Sequence, residues 1–235
     1  MSALSRPRSN RDIFLFIALF FVIWSVRATY LYAIDEAIAS GPLRLMYSTC
    51  VKLVLWGLPA WGFALWRRRA AAESVESSAP LRYLGLSVWP TVRQWVGVML
   101  AIGLFLGAIL ASETLNGQKT LSFADISLLL LWPGLLSTFV SPWIEEVLFR
   151  GVILRELAQI IPGWGANLLT SLLFVGIHLP FWLTHHPLNA VIANSIGVLI
   201  FSLFAGLLYL KTNSIWPSTV AHVANNFLAS LLVMR

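Results

Sequence analysis

Residues 126–157 read ISLLLLWPGLLSTFVSPWIEEVLFRGVILREL, an apolar run interrupted by two prolines, Pro133 and Pro142, with the acidic pair Glu145-Glu146 in its second half. About 20 apolar residues cross a bilayer as a helix, so this run is long for one crossing. Each proline removes a backbone donor, and the segment is therefore expected to be kinked or to form two shorter helices. Further apolar runs lie at 13–34, 45–66, 95–112, 166–183, 191–210 and 215–234. Together they predict an all-α fold, a polytopic membrane helix bundle of seven transmembrane helices, with eight as the alternative.

Composition agrees. Of the 235 residues 58% are apolar and 11% charged, under half of the roughly 25% charged fraction of soluble domains, which excludes a water-soluble globule. The single cysteine, Cys50, rules out an internal disulfide and a Cys-based metal cluster. Sixteen Lys and Arg against ten Asp and Glu give a net charge of +6, read here as membrane orientation and not as contact with nucleic acid. With the N-terminus cytoplasmic, Arg6, Arg8, Arg11, Arg67, Arg68, Arg69, Arg82, Arg93, Arg155 and Lys211 fall inside. Arg44, Lys119 and Arg235 fall outside, while Arg27, Lys52 and Arg150 lie within apolar runs. Trp66, Trp89, Trp95, Trp164 and Trp216 flank the inferred cytoplasmic loops, as an interfacial aromatic belt would. The basic front resembles that of a signal peptide, but the apolar run behind it is too long, so a first transmembrane helix is expected. Residues 70–80, rich in Ala, Ser and Glu, are expected to form a mobile linker. The whole of 1–235 is read as one integral membrane domain, with two helices and the linker in 1–94 and the chemistry-bearing part in 95–235, centred on 141–230.

Ionisable groups inside lipid cost several kcal/mol unless paired or wetted, and each therefore marks a candidate site. They are Arg27, Lys52, Glu145, Glu146, Arg150, His178 and His222. Residues four apart share a helix face, so Glu146 and Arg150 can pair while Glu145 points about 100° away. Glu146 is then expected to stay ionised beside its guanidinium, leaving Glu145 as the carboxylate available for general-base work. The same spacing joins Phe174 to His178 and His222 to Asn226. Counted at 1.5 Å per residue from Arg155, Gly165 and Ser214, the carboxylate and the two imidazoles fall at similar depth, in the cytoplasmic half of the bilayer. Arg27 and Lys52 are expected to snorkel toward an interface or to pair, with each other or with a distant acid; a part in binding a substrate carboxylate is the minor alternative. His185 and His186 are expected in a solvated loop, Asn189 and Asn194 to cap or cross-link their helix, and Gly176 and Pro180 to bend the helix around His178.

The three pairs in this order, Glu145-Glu146 with Arg150, Phe174 with His178 and His222 with Asn226, resemble the CPBP family, the CAAX-protease and bacteriocin-processing intramembrane endopeptidases that include the type II CAAX prenyl endopeptidases. Leu84-Gly85-Leu86 resembles the lead-in common in these proteins, and the N-terminal third matches no motif. The resemblance implies a peptidase in which Glu145 and His178 activate a water, and His222 and Asn226 hold the carbonyl oxygen under attack. Glu146, Arg150 and Phe174 would support them. It further implies a membrane-associated peptide or protein as substrate, and a multi-pass protein of the plasma membrane, bacterial in many relatives. Nucleic acid is not an expected partner.

Glu145, His178 and His222 are also a plausible zinc ligand set. The His-Glu-x-x-His helix of common zinc proteases is absent, and Asn226 suits hydrogen bonding better than ligation, so no cofactor is expected and zinc is the alternative. A noncatalytic immunity or scaffold protein of the same fold is the remaining alternative. A transporter would string its ionisable groups along a path, whereas these share one depth.

Overall fold

The computed structural model describes residues 10–30, 42–70, 79–115, 119–122 and 132–234. Helix α1 spans Asn10–Tyr30. Helix α2 (Pro42–Lys52) passes through a π-helical turn, Leu53–Gly57, into α3 (Leu58–Ala70). The short α4 (Ala79–Tyr83) precedes α5 (Val92–Leu115). A single helical rod then carries α6 (Trp132–Leu135), a π turn Leu136–Val140, α7 (Ser141–Glu146), a π segment Val147–Leu154 and α8 (Arg155–Leu157). It is followed by α9 (Gly163–Gly176), α10 (Leu179–His185), α11 (Leu188–Thr212) and α12 (Ile215–Leu231). Two three-residue strands, β1 (Lys119–Leu121) and β2 (Leu232–Met234), pair antiparallel and are a small exception to the all-α expectation.

Five helices among the described residues are long and apolar enough to cross a membrane: Asn10–Tyr30, Leu43–Arg67, Val92–Leu115, Gly163–His185 and Leu188–Thr212. The chain is an integral, multi-pass membrane protein. The rod of residues 132–157 and the 17-residue α12 are helical as well but are not among those five, so the count stops short of the seven expected. Leu15, Leu19 and Val22 on α1 and Val96, Leu100 and Leu104 on α5 are exposed, the apolar outer surface that lipid requires. Arg6, Arg8, Arg235, most of the linker and the first residues of the 126–157 run lie outside the described residues, as do the side chains of Arg68, Arg69 and Lys119.

At Pro142 the helix passes through a π turn. The N–H of Ser141 reaches back five residues to the Leu136 carbonyl, widening the turn just before the proline, whose ring would otherwise press on the carbonyl four residues earlier. The same device precedes Pro59, where the Leu58 N–H bonds to the Leu53 carbonyl. The helical hydrogen bonding therefore continues through both prolines. No proline accompanies the π segment at Val147–Leu154, and nothing in the packing explains it.

The core is an aromatic and aliphatic cluster that ties α1, the first π turn, the rod and α9 together. Trp56 meets Phe20 and Trp24 edge-on, with ring centroids at 5.5 and 4.7 Å, and Phe149 meets Trp56 at 6.0 Å and Phe174 at 4.9 Å. Two glycines set the rod against its neighbours. A Cβ on Gly151 would lie 2.9 Å from the Leu84 carbonyl oxygen, and Gly85 holds φ at +74°, the left-handed region that glycine enters without penalty. The Leu84-Gly85-Leu86 turn thus wedges between the rod and the start of α12, where the Trp216 indole donates to the Leu86 carbonyl at 2.8 Å.

At one end of the bundle Arg67 is buried, contrary to its expected place in a loop. Its guanidinium donates to Glu156 Oε2 at 2.8 Å through Nε and at 2.6 Å through NH2, and Asp12 lies 3.6 Å away. The Tyr83 hydroxyl donates to Glu156 Oε1 at 2.5 Å. Burial first, then the adjacent Glu156 carboxylate, push the Tyr83 hydroxyl far above the usual phenol range.

Candidate active site

Each candidate side chain is delivered by a different local device. Glu145 and Glu146 sit at the end of α7, both buried, and Arg150 lies one turn on, fully buried. The Arg150 NH1 donates to Glu146 Oε1 at 3.0 Å, and NH2 donates to the backbone oxygen and hydroxyl of Ser202 on α11, each at 2.9 Å. The pairing read from the i, i+4 spacing is therefore present, and it also pins the rod to α11.

His222, buried on α12, directs Nδ1 at Glu146 Oε1, 2.8 Å away. An ionised carboxylate only accepts, so Nδ1 carries the hydrogen. The other nitrogen, Nε2, lies 3.8 Å from Glu145 Oε2. One carboxylate thus orients the ring while the second stands before its free edge. Asn226, one turn beyond His222, lines the same cavity.

His178 stands at the junction of α9 and α10, where the helix breaks between Gly176 and Leu179, as the flanking glycine and proline suggest. Its Nδ1 is 2.8 Å from the Phe174 carbonyl oxygen, and because a carbonyl only accepts, this nitrogen is again the donor, which in the neutral ring leaves the lone pair on Nε2. Phe174, 2% exposed, meets the His178 ring at 5.3 Å and the His222 ring at 5.9 Å, with the Arg150 guanidinium 5.1 Å from its own ring centre. It packs against both imidazoles and the guanidinium, while His222 and Arg150 meet on the same oxygen of Glu146.

Glu145, His178, His222, Phe174 and Asn226 converge on one cavity of about 720 Å³, roomy enough for a peptide segment and water. Lys52 Nζ, from α2, donates to Glu145 Oε1 at 2.5 Å and to the Ser141 hydroxyl at 2.7 Å. Of the roles open to Lys52 in the sequence, pairing with a distant acid is the one the structure shows. The polar lining also includes Ser112 and Glu113 at the end of α5, Asn194 on α11 and Asn225 on α12. Glu113 carries no motif and falls outside the stretch where the pairs lie, so no spacing could have singled it out. Arg27, 8% exposed, lines a second chamber together with Lys52, His178 and Glu145. His185 and His186 are exposed, as expected, but His185 is the last residue of α10 and not part of a loop, with its ring stacked on Phe181 at 4.4 Å.

As a cation site the arrangement is partial. Glu145 and His222 approach each other, but among the described residues no three His, Cys, Asp or Glu side chains gather closely enough to hold a metal ion.

Over residues 127–228 the chain matches the family model described as Type II CAAX prenyl endopeptidase Rce1-like. This stretch spans the rod, α9 to α11 and most of α12, and so includes each of the three paired motifs. No curated protein and no solved structure matches the chain. The family assignment supports a peptidase embedded in the membrane and acting on a membrane-associated peptide. Lys52, Glu113 and helices α1 to α5 lie outside the matched stretch.

Proposed function

We propose that this protein is an intramembrane endopeptidase that hydrolyses a peptide bond of a membrane-associated peptide or protein with water as nucleophile and no metal. The observation that carries this reading is the convergence of Glu145, His178, His222 and Asn226 on one cavity. In the first step Glu145 Oε2 takes one proton of a water whose other hydrogen bonds to the lone pair on His178 Nε2, while the water oxygen bonds to the scissile carbonyl carbon and the carbonyl π electrons move onto its oxygen. The developing oxyanion accepts hydrogen bonds from the Asn226 amide and from His222 Nε2. Since His222 Nδ1 already donates to Glu146, Nε2 donates to the oxyanion only while the ring carries both protons. The proton taken from water then passes to the leaving amine, and no covalent enzyme intermediate forms.

Residues 1–235 are proposed to act as one membrane domain, with the N-terminus cytoplasmic and the catalytic core in 95–235, in a plasma membrane of bacterial type. The bias of basic residues toward one set of loops supports that orientation.

The test is to compare membrane peptides from cells expressing the wild-type chain or its Glu145→Ala and His178→Ala variants. A precursor should accumulate in both variants. A chain-dependent cleavage that persists in both would sink the mechanism, and a chain with no cleavage product at all would favour the scaffold alternative. Activity lost on stringent chelation and restored only by zinc would replace the metal-free mechanism with one in which Glu145, His178 and His222 bind the ion.

A further inference from the structure

Lys52 lies 93 positions before Glu145 in the chain and reaches it from α2, outside the stretch that defines the family. Its ammonium has three hydrogens to give, and two of them go to one face of α7, to Ser141 Oγ and to Glu145 Oε1. The course of the side chain is fixed from behind. Nζ is 5.5 Å from the centre of the Trp56 ring, and Trp56, 1% exposed, is itself locked edge-on by Phe20, Trp24 and Phe149. Both backbones at the contact are π-widened next to it, at Leu53–Gly57 directly after Lys52 and at Leu136–Val140 directly before Ser141. Such turns recur at functional sites, where they aim a side chain that a regular helix would not present.

The pair is not a sealed core contact. The Lys52 side chain is 22% exposed, and with Glu145 and His178 it borders both the 720 Å³ cavity and the neighbouring chamber of about 330 Å³. Holding Oε1 of Glu145 on the lysine side leaves Oε2 toward the His222 edge, 3.8 Å from Nε2. A carboxylate without that tether would rotate between the two chambers.

We infer that Lys52 is a positioning residue for the reaction: its ammonium, shared with the Ser141 hydroxyl, fixes Glu145 so that one oxygen faces the water and the bond to be cleaved. The inference rests on the proposed role of Glu145 as base. It assigns the N-terminal helices a share in catalysis, through the orientation of a group they do not themselves contain.

The test uses the full chain in mixed micelles and a quenched-fluorescence peptide selected, from a micelle-presented library, for cleavage by the wild type. Lys52→Met should lower kcat about 10- to 100-fold, the cost of misplacing a catalytic group by about 1 Å, with KM changed less than about threefold. Lys52→Arg, which keeps the charge and two donors, should recover kcat to within about tenfold of wild type, and Ser141→Ala should lower kcat by a smaller factor at constant KM. A Lys52→Met variant with wild-type kcat per folded molecule, alongside a dead Glu145→Gln, overturns the role of Lys52 and leaves the endopeptidase standing. A raised KM at unchanged kcat also overturns it, since that is the mark of substrate binding. An active Glu145→Gln overturns the proposed base, and this inference with it. If Lys52→Met does not fold, Ser141→Ala decides, and an unchanged kcat there counts against the inference.

Discussion

Two buried charge clusters join the N-terminal helices to the rod, and they are built differently. At the end of the bundle Arg67 and Tyr83 close around Glu156, and both oxygens of that carboxylate are engaged, Oε2 by the guanidinium and Oε1 by the phenol. In the middle of the rod Lys52 holds only Oε1 of Glu145, while the other oxygen and the free edges of two imidazoles border a cavity. Both clusters bury charge, so burial alone does not separate a clamp from a site. What distinguishes them is bonding capacity left unused next to open space. A saturated cluster can only resist unfolding, whereas a partly saturated one can bind a water and exchange a proton with it.

Mutations should separate the two clusters in opposite directions. The largest expected effect is that of Glu145→Gln, a 10²- to 10⁴-fold loss of cleavage, the usual share of a general base, with the melting temperature in detergent nearly unchanged. Comparable activity in the variant would erase the distinction between the clusters. Arg67→Met should do the reverse. Leaving Glu156 as an uncompensated buried charge costs about 3–5 kcal/mol, measured as a lowered unfolding midpoint, while kcat per folded molecule stays near wild type. Adding Glu156→Gln to it should return much of that stability, and a double variant no better than the single one would argue against the ion pair as the clamp.

Asn226→Ala comes next, with about 10²-fold lost from kcat and little from stability, as for removal of one oxyanion donor. A change in KM alone would move Asn226 from the oxyanion to the ground-state substrate. The smallest effect is linked to pH. The Tyr83 hydroxyl is raised above its ordinary value of 10.0, so the folded state keeps a proton that the unfolded state releases as pH climbs past about 10. That contribution is fully present below pH 10 and declines above it. Tyr83→Phe should therefore lower stability modestly at neutral pH and flatten its alkaline decline, read from melting temperatures between about pH 8 and 11. An alkaline slope identical in wild type and variant would remove Tyr83 from the clamp.

The pairs Glu146 with Arg150 and His222 with Asn226 were legible because each lies within one continuous helical stretch, where a spacing of four fixes a shared face before any tertiary contact exists. Glu146 with Arg150 is the clearest case, and the irregular turn at 177–178 falls where the glycine and proline beside it are expected to bend the helix. Lys52 was visible as a charge in an apolar run but not as a partner of Glu145, since no periodicity links positions on separate helices. Arg67 looked like the end of a membrane segment, as a cluster of arginines there would, and only the packing of α1, α4 and α8 around it makes it internal. The turns at Pro59 and Pro142 show the same limit at short range. Proline forbids one backbone bond, but whether the helix answers by breaking or by widening depends on what lies against it.

By itself the sequence determined that this is a membrane-embedded helical protein and which side chains share a helix face, because lipid admits few charges and the helix repeat is fixed by backbone geometry. The tertiary structure decided which oxygen of which carboxylate is occupied, which imidazole edge is free, and that a lysine from outside the family-defining stretch stands beside the candidate base. Those choices belong to distances of about 3 Å between helices far apart in the chain, and only packing can set them.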